Sequence, residues 1–191
     1  MSTLAIDRST KTTAIAIVEG GSAREANFGV WDGVSPLELD CSIDRIVVGI
    51  GPGSFAGIRS SLAWAQGYAI GSGCKVEGIV SPAAFAEEGL AKAVVGDARR
   101  GKFWIALFDG FKLVCDIFQV EREQLAKRIP RGANVVSPDD ERIGAILKEE
   151  LGESYAPAPV LSATALAAAF IANPSLLIAE PLPLYLNPAV R

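Results

Sequence analysis

The chain has 191 residues, half of them hydrophobic, with 21% charged side chains, a net charge of −4 at pH 7 and no histidine. This composition predicts a folded protein of one domain or two small ones and excludes a disordered chain. The absence of histidine excludes Ser-His-Asp and Cys-His catalysis and a histidine-type zinc site. The acidic balance disfavours autonomous nucleic-acid binding, which depends on neutralising phosphates with lysine and arginine.

The same counts bear on cellular location. The cysteines are odd in number and far apart, which predicts reduced side chains in a cytoplasmic protein: Cys41, Cys74 and Cys115. No secretory signal is expected, because Asp7 and Arg8 interrupt the N-terminal apolar run. The uncharged stretch 154–179 is long enough to span a membrane, but its prolines and the lack of flanking anchors favour a buried helix from Ser162 to about Ala172.

In chain order, the first half predicts four strands and then a glycine-rich turn that leads into a helix. The strands are Leu4–Asp7, Thr13–Val18, Arg24–Val30 and Ile43–Ile50, with room only for a stub of helix in 31–42. The turn is Gly51–Gly57, and an apolar periodicity predicts a helix from Phe55 to Ile70. A strand over Lys75–Val80 follows, and Ser81-Pro82 opens a helix that ends near Gly89.

The second half repeats the opening pattern after a shift of ninety residues without a gap. Asp7 then falls on Asp97, and the strand that begins at Thr13 falls on the apolar run that begins at Phe103. We interpret this as a duplicated strand–turn–strand–turn–strand unit, in which each first strand ends in an aspartate. The predicted domains are an N-terminal lobe over 1–91 and a C-terminal lobe over 92–191.

The second lobe continues with further predicted elements and a proline-rich tail. They are a short helix over Glu121–Arg128, a strand near Asn134–Val136, a helix over Asp139–Leu151, the apolar helix noted above and the tail Glu180–Leu186. Two α/β lobes that each open with a three-strand meander predict the duplicated fold of actin, sugar kinases and 70-kDa heat-shock proteins. The tail is expected either to pack on the second lobe or to reach a partner.

In nucleotide-binding members of that fold, the first hairpin of each lobe folds over the phosphates. The corresponding candidates for nucleotide or phosphate binding here are Asp7, Ser9, Thr10, Gly51, Gly53, Ser54, Asp97 and Arg99. Each has a plainer alternative. The two aspartates hold a metal ion or phosphate or cap hairpin turns, and Ser54 binds phosphate or caps the helix. The glycines serve either an anion site or tight packing.

A family resemblance rests on several motifs spread along the chain. They are Leu4–Thr10, Gly51–Arg59, Ala65-Gln66-Gly67, Asp97–Gly101 and the closing Glu180-Pro181 with Leu184-Tyr185-Leu186. Together they resemble the bacterial TsaB (YeaZ-like) family, the partner proteins of tRNA threonylcarbamoyladenosine synthesis. The chain departs from the family pattern at Arg8 and Ala56 and in its short first helix.

The resemblance implies a partner protein that has no catalytic activity of its own and no catalytic residues. It implies that the protein binds a catalytic TsaD-like paralogue and a TsaE-like ATPase, for transfer of threonylcarbamoyl to N6 of adenosine 37 in tRNA. It also implies a homodimer, only indirect contact with tRNA, and no membrane contact. No metal site and no required cofactor are predicted, with ATP or ADP at an interface of the complex as the alternative.

Because the first helix is short, we expect the pairing surface to use the helix after the glycine turn. The predicted interface residues are Phe55, Ile58, Arg59, Leu62, Trp64 and Tyr68.

Two rival functions remain open on the sequence. Gly51, Gly53 and Ala56 fit a dinucleotide-binding fingerprint after a strand, with Glu77 downstream as the ribose carboxylate. Against that reading, Pro52 stiffens the turn and Glu77 lies inside a strand. The other rival is a small stand-alone ATPase or kinase of the actin-like fold.

Overall fold

The computed structural model of the chain describes residues 1–25 and 42–186. Its strands are β1 (Thr3–Asp7), β2 (Ala14–Glu19), β3 (Ser22–Glu25), β4 (Arg45–Gly49), β5 (Lys75–Ile79), β6 (Ala91–Arg99), β7 (Lys102–Asp109), β8 (Lys112–Leu113), β9 (Phe118–Glu121) and β10 (Asn134–Val136). Its α-helices are α1 (Phe55–Ser72), α2 (Leu125–Arg128), α3 (Asp140–Leu151) and α4 (Ala163–Ala172). The predicted stub of a first helix (31–42) lies outside the described residues except for Ser42, and Cys41 lies outside them too.

The described residues divide into two compact units. The first contains residues 1–84 and 161–184, and the second contains residues 85–160 and takes in the chain again from Tyr185. The predicted division at residue 91 differs from this in two respects, of which the smaller is that residues 85–91 belong to the second unit. The segment 161–184, assigned from sequence to the C-terminal lobe, packs with the first unit because the apolar helix α4 lies against β1, β2 and β3.

The first unit is built on a five-stranded sheet in the order β3-β2-β1-β4-β5. The β1–β2–β3 meander is antiparallel, and β4 and β5 then continue in parallel with β1. All of β1 is buried, as its unbroken apolar run predicts for a central strand covered on both faces. Helix α1 packs against β1, β4 and β5.

The second unit repeats this plan in shorter form. Strands β6 and β7 form an antiparallel hairpin, β8 and β9 both pair with β7, and β10 lies parallel to β6. Helix α3 packs on β6 and on α2 around a core that includes Val95, Phe103 and Leu147. The duplicated meander predicted from the ninety-residue shift is therefore present in both units.

Most predicted elements have the expected type, with two shortened. The helix expected from Ser81 to near Gly89 is a 3-10 turn over Ser81–Phe85. The helix expected over Glu121–Arg128 is a 3-10 turn followed by the single turn α2. Ser162 caps α4 by accepting hydrogen bonds from the amides of Thr164 and Ala165, as predicted. Among the described residues, no helix is long and apolar enough to cross a membrane.

Candidate functional site

The glycine turn joins the end of β4 to α1 in the first unit. Ser54 is the N-cap of the helix and accepts a hydrogen bond from the amide of Gly57 at 3.3 Å. It thereby satisfies one of the amides that a helix leaves unpaired at its start. The cap reading of Ser54 is therefore confirmed.

The tip of the β1–β2 hairpin packs directly onto this turn. The amide of Ser54 donates to the carbonyl oxygen of Ser9 at 2.6 Å. A Cβ atom on Gly53 would lie 2.2 Å from that same oxygen, and one on Gly57 would lie 2.0 Å from the carbonyl oxygen of Arg8. Any side chain at these positions would clash with backbone, so both glycines are required by close packing.

Arg8 also fixes this contact between the β1–β2 hairpin and the start of α1, which we call the first joint, through its side chain. Its guanidinium donates to the hydroxyl of Ser60 in α1 at 2.7 Å and to the hydroxyl of Thr13 at 3.1 Å. The sequence marked Arg8 only as a departure from a family pattern. In the structure, Arg8 links the hairpin to the second turn of α1.

Asp7 ends β1 beneath this joint and is fully buried. One carboxyl oxygen, Oδ1, accepts a hydrogen bond from the amide of Ser9 at 2.6 Å, which is an Asx turn at the start of the hairpin. The other oxygen, Oδ2, has no hydrogen-bond partner among the described residues. Burial raises the pKa of the Asp7 carboxyl, although the nearby hydroxyls of Ser81 and Ser9 and the amide of Ser9 act in the opposite direction.

Ser81 is a member of this site that the sequence analysis did not single out. Its hydroxyl accepts a hydrogen bond from the amide of Gly51 at 3.0 Å. A Cβ atom on Gly49 would lie 1.7 Å from Asp7 Oδ2 and 2.9 Å from Ser81 Oγ, so both oxygens face the same small space beside Gly49. Its signal in the sequence is a serine directly after a predicted strand, which by itself predicts only the start of a helix.

The first unit therefore brings together Asp7, Ser9, Gly51, Gly53 and Ser54. Thr10 lies at the hairpin tip, where its hydroxyl donates to the carbonyl of Thr12 at 3.1 Å. The remaining two candidates, Asp97 and Arg99, belong to the second unit. Binding of a nucleotide or phosphate by any of the eight candidate residues stays a prediction.

In the second unit, Asp97 repeats the turn made by Asp7, since its Oδ1 accepts from the amide of Arg99 at 2.7 Å. Its other oxygen lies 3.5 Å from the guanidinium of Arg99 and 3.5 Å from that of Arg142. The amide of Asp97 donates to the carboxylate of Asp139 at 2.9 Å, and Asp139 also pairs with Arg142 at 2.8 Å. Both aspartates thus cap hairpin turns, as the plainer alternative held.

The predicted interface residues of α1 fall into two groups. Ile58 and Leu62 are buried between the helix and the sheet, so they stabilise the unit and are not part of its surface. Phe55 is 56% exposed, and the Arg59 guanidinium lies 4.8 Å from its ring centroid. Trp64 and Tyr68 are half-buried with their rings stacked at 5.3 Å.

The tail adds a further contact that the sequence did not place. Ile178 and Gly78 exchange two backbone hydrogen bonds of 2.8 Å, and the amide of Leu184 donates to the carbonyl of Ile50 at 2.9 Å. Pro181 packs on Gly78, where a Cβ would meet it at 2.9 Å. The tail up to Leu184 thus binds the first unit, whereas we expected the second lobe or a partner.

The chemistry available at this site is limited. No group of three or more His, Cys, Asp or Glu side chains that could hold a metal ion occurs in residues 1–25 and 42–186. Glu77, the carboxylate that a dinucleotide site would use, is buried in β5 and pairs with Arg45 at 3.5 Å and Lys75 at 2.7 Å. These contacts and the antiparallel start of the sheet argue against the dinucleotide reading.

A duplicated meander with a parallel continuation defines the actin-like fold class predicted from the sequence, and solved structures agree. The chain superposes on YeaZ from Pseudomonas aeruginosa with a TM-score of 0.73 and 19% identity, covering 96% of this chain and 99% of that one. It also resembles the ethanolamine utilization protein EutJ from Carboxydothermus hydrogenoformans, with a TM-score of 0.51 and 11% identity over 88% and 90% of the two chains.

Sequence comparisons match one family model and several relatives. Residues 36–130 match the family model of TsaD, tRNA N6-adenosine threonylcarbamoyltransferase. The uncharacterized protein Rv3421c of Mycobacterium tuberculosis is 38% identical over 74 residues, which are 38% of this chain. ML0378 of Mycobacterium leprae is 37% identical over 75 residues. The chain spans only 35% and 21% of the length of these relatives. The resemblance to YeaZ-like proteins stated from the motifs is thus confirmed, and the chain has their fold.

Proposed function

We propose that this chain is a non-catalytic partner protein in the formation of threonylcarbamoyladenosine in tRNA, and that it acts by docking a TsaD-like catalytic paralogue on the outer side of α1. The observation that carries the proposal is the chemistry of that helix. Arg59 is the one charged residue among its 18 residues. A helix with one face on a sheet and the other in water normally has charged residues on the outer face.

Apart from Arg59, Gln66 and Ser72, the exposed residues of α1 are small or apolar. Its exposed residues include Ala56, Ala63, Gly67 and Gly71, with Ile70 88% exposed at the end of the helix. Small residues let a partner helix approach closely, and apolar ones gain free energy when a partner covers them. This surface suits a stable protein interface better than contact with solvent.

The identity of the partner rests on the comparisons. The family model matched by 36–130 describes a tRNA N6-adenosine threonylcarbamoyltransferase, and this chain has no histidine to hold a catalytic metal. A division of labour follows, in which the paralogue performs the transfer and this chain supports it. A TsaE-like ATPase, a homodimer that uses the same helix, a cytoplasmic location and ATP or ADP at an interface of the complex are parts of the same proposal.

The binding test compares two apolar residues of equal exposure. Phe55 and Val114 are both 56% exposed, the first in α1 and the second in the other unit. Phe55→Asp puts a carboxylate in the first turn of α1, where it suits the helix dipole, so the chain should still fold. We expect it to weaken binding of the purified TsaD-like protein at least tenfold in calorimetry, because it buries an unpaired charge in the interface. Val114→Asp should bind as the wild type does.

Trp64→Asp should also abolish pull-down of the paralogue. Equal binding by the Phe55→Asp, Trp64→Asp and Val114→Asp variants would exclude α1 as the docking surface.

The role in the pathway has a separate test, which is depletion in the native host with mass spectrometry of tRNA nucleosides. Threonylcarbamoyladenosine should fall on depletion and return with the wild-type chain. Unchanged levels would refute the proposed function, and ATP turnover by the isolated chain would favour the stand-alone ATPase.

A further inference from the structure

The two aspartates related by the ninety-residue shift have the same local turn but different surroundings. Each accepts a hydrogen bond from the amide two residues on, at 2.6 Å for Asp7 and 2.7 Å for Asp97. The second oxygen of Asp97 faces two guanidinium groups, and 17% of the side chain is exposed. The second oxygen of Asp7 has no such partner among the described residues, and the residue is fully buried.

Among the residues that the structure describes, the elements packed around Asp7 supply no compensating charge. The Arg8 guanidinium is directed to Ser60 and Thr13, and Arg59 lies over the ring of Phe55. Strand β4 presents Gly49, and the turn after β5 presents the neutral hydroxyl of Ser81. No charged group contributes to the raised pKa of Asp7, which comes from burial. An ionised carboxylate in such a place carries a large desolvation cost, which the hydroxyls of Ser81 and Ser9 and the amide of Ser9 offset only in part.

We infer that Asp7 is a neutral carboxylic acid in the folded chain, so that the first copy of the duplicated aspartate is a buried hydrogen-bonding acid under the glycine turn while the second copy is an ion-paired carboxylate. In the neutral form, Oδ1 still accepts the amide of Ser9. Oδ2–H becomes a donor that faces the hydroxyl of Ser81, which has one lone pair left after accepting the amide of Gly51. Protonation therefore gives Oδ2 a proton to donate toward the remaining lone pair of the Ser81 hydroxyl.

The inference has a chemical consequence. A neutral acid is a poor ligand for a divalent cation, and a Cβ on Gly49 would lie only 1.7 Å from Oδ2, so the space beside this oxygen is already closed. The first unit would then use its aspartate to hold the hairpin against the glycine turn. This role is independent of whether α1 binds a partner.

The sign of the pH dependence follows from linkage. When the folded-state pKa of an acid is raised, the unfolded chain loses its proton first as the pH increases from the ordinary value of 3.8. Between that value and the folded-state pKa, the ratio of folded to unfolded chain falls by up to tenfold per pH unit because of this one group. The stability is fully present below 3.8 and is progressively lost above it.

The direct test follows the carboxyl carbon of Asp7 by 13C NMR in the wild-type chain across a pH titration. We expect it to keep the shift of a protonated acid well above the ordinary aspartate range, and titration at or below that range would overturn the inference. The second test is urea unfolding at several pH values, observed at the methyl groups of Ile6 and Val48 in the first unit. Asp7→Asn, which is neutral and similar in shape, should lack the loss of stability with pH.

Asp97→Asn is the matched control and should keep the wild-type pH dependence of the first unit. An Asp7→Asn chain with the same pH dependence as the wild type would also overturn the inference. Should Asp7→Asn fail to fold, the carbon titration of the wild-type chain decides the question alone. Both measurements are made on the isolated chain, so failure of partner binding cannot affect them.

Discussion

The two units join their first hairpin to a helix, α1 in the first unit and α3 in the second, in different ways. In the first unit, carbonyl oxygens of Arg8 and Ser9 lie against Gly57 and Gly53. In the second unit, the amide of Asp97 donates to the side chain of Asp139 at the start of α3. The first joint places backbone against backbone at two glycines and adds the hydrogen bond from Arg8 to Ser60, whereas the second joint depends on a carboxylate and needs no glycine.

The third residue of each helix shows the difference most clearly. In α1 it is Gly57, and in α3 it is Arg142, which pairs with Asp139 and Asp97. The same structural position is thus occupied by the smallest residue in one copy and by a long charged one in the other. Each copy thus fixes its hairpin in its own way, and the two helices differ in charge: α1 has Arg59 alone, whereas α3 has several charged residues.

The largest effect should come from Gly57→Ala in the first joint. Alanine normally stabilises a helix by about 1 kcal/mol relative to glycine, but here its Cβ would meet the Arg8 carbonyl oxygen at 2.0 Å. We expect a loss of about 1–3 kcal/mol in the free energy of unfolding, measured by urea denaturation. Gly67→Ala in the same helix has nothing within 4 Å and should gain up to about 1 kcal/mol. Equal stability of the two variants would break the comparison.

A smaller effect is expected from Asp139→Ala in the second joint. The change removes the acceptor of the Asp97 amide and the partner of Arg142, so it should cost about 1–2 kcal/mol in the free energy of unfolding. Asp116→Ala, an exposed aspartate of the same unit, is the control and should stay within about 0.5 kcal/mol of the wild type. A loss no larger than that of the control would mean that the carboxylate does not hold the joint.

The smallest effect should come from Arg142→Ala. Its side chain is 39% exposed, and pairs of this kind contribute only about 0.2–1 kcal/mol, because water and salt screen them. We expect a loss of that size in thermal unfolding at low salt, which disappears near 1 M salt, where screening acts over about 3 Å. A loss as large as that of Gly57→Ala would show that both copies depend equally on this helix position.

Sequence patterns predicted most of the elements because their physical signals are local. An unbroken apolar run marked the buried β1, and Ser54 and Ser162 marked helix starts through their hydroxyls. The gapless shift of ninety residues located the second meander but not its register. The shift equates Ile6 with Gly96 and Ala14 with Trp104. In the structure, Gly96 pairs with Trp104, but Ile6 pairs with Ile15 and not with Ala14, so the two hairpins differ in register by one residue.

The register differs because the second hairpin is one residue shorter, with an irregularity between Asp97 and Arg99. Arg99 and Arg100 have positive φ angles of 69° and 55° there, which composition gives no means of foreseeing. The buried positions of Ile58 and Leu62 were also missed. An apolar helix shows no clear inner face in its sequence, and only the packed sheet reveals it.

Placement of 161–184 in the first unit was not predicted for a related reason: pairing between Gly78 and Ile178 joins segments a hundred residues apart and leaves no local signal. This feature also sets an order of events during synthesis. Residues 85–160 emerge from the ribosome as one continuous stretch and can fold as they appear. The first unit is complete only later, because its segment 161–184, with the hydrogen bond from Leu184 to Ile50, is translated after the second unit.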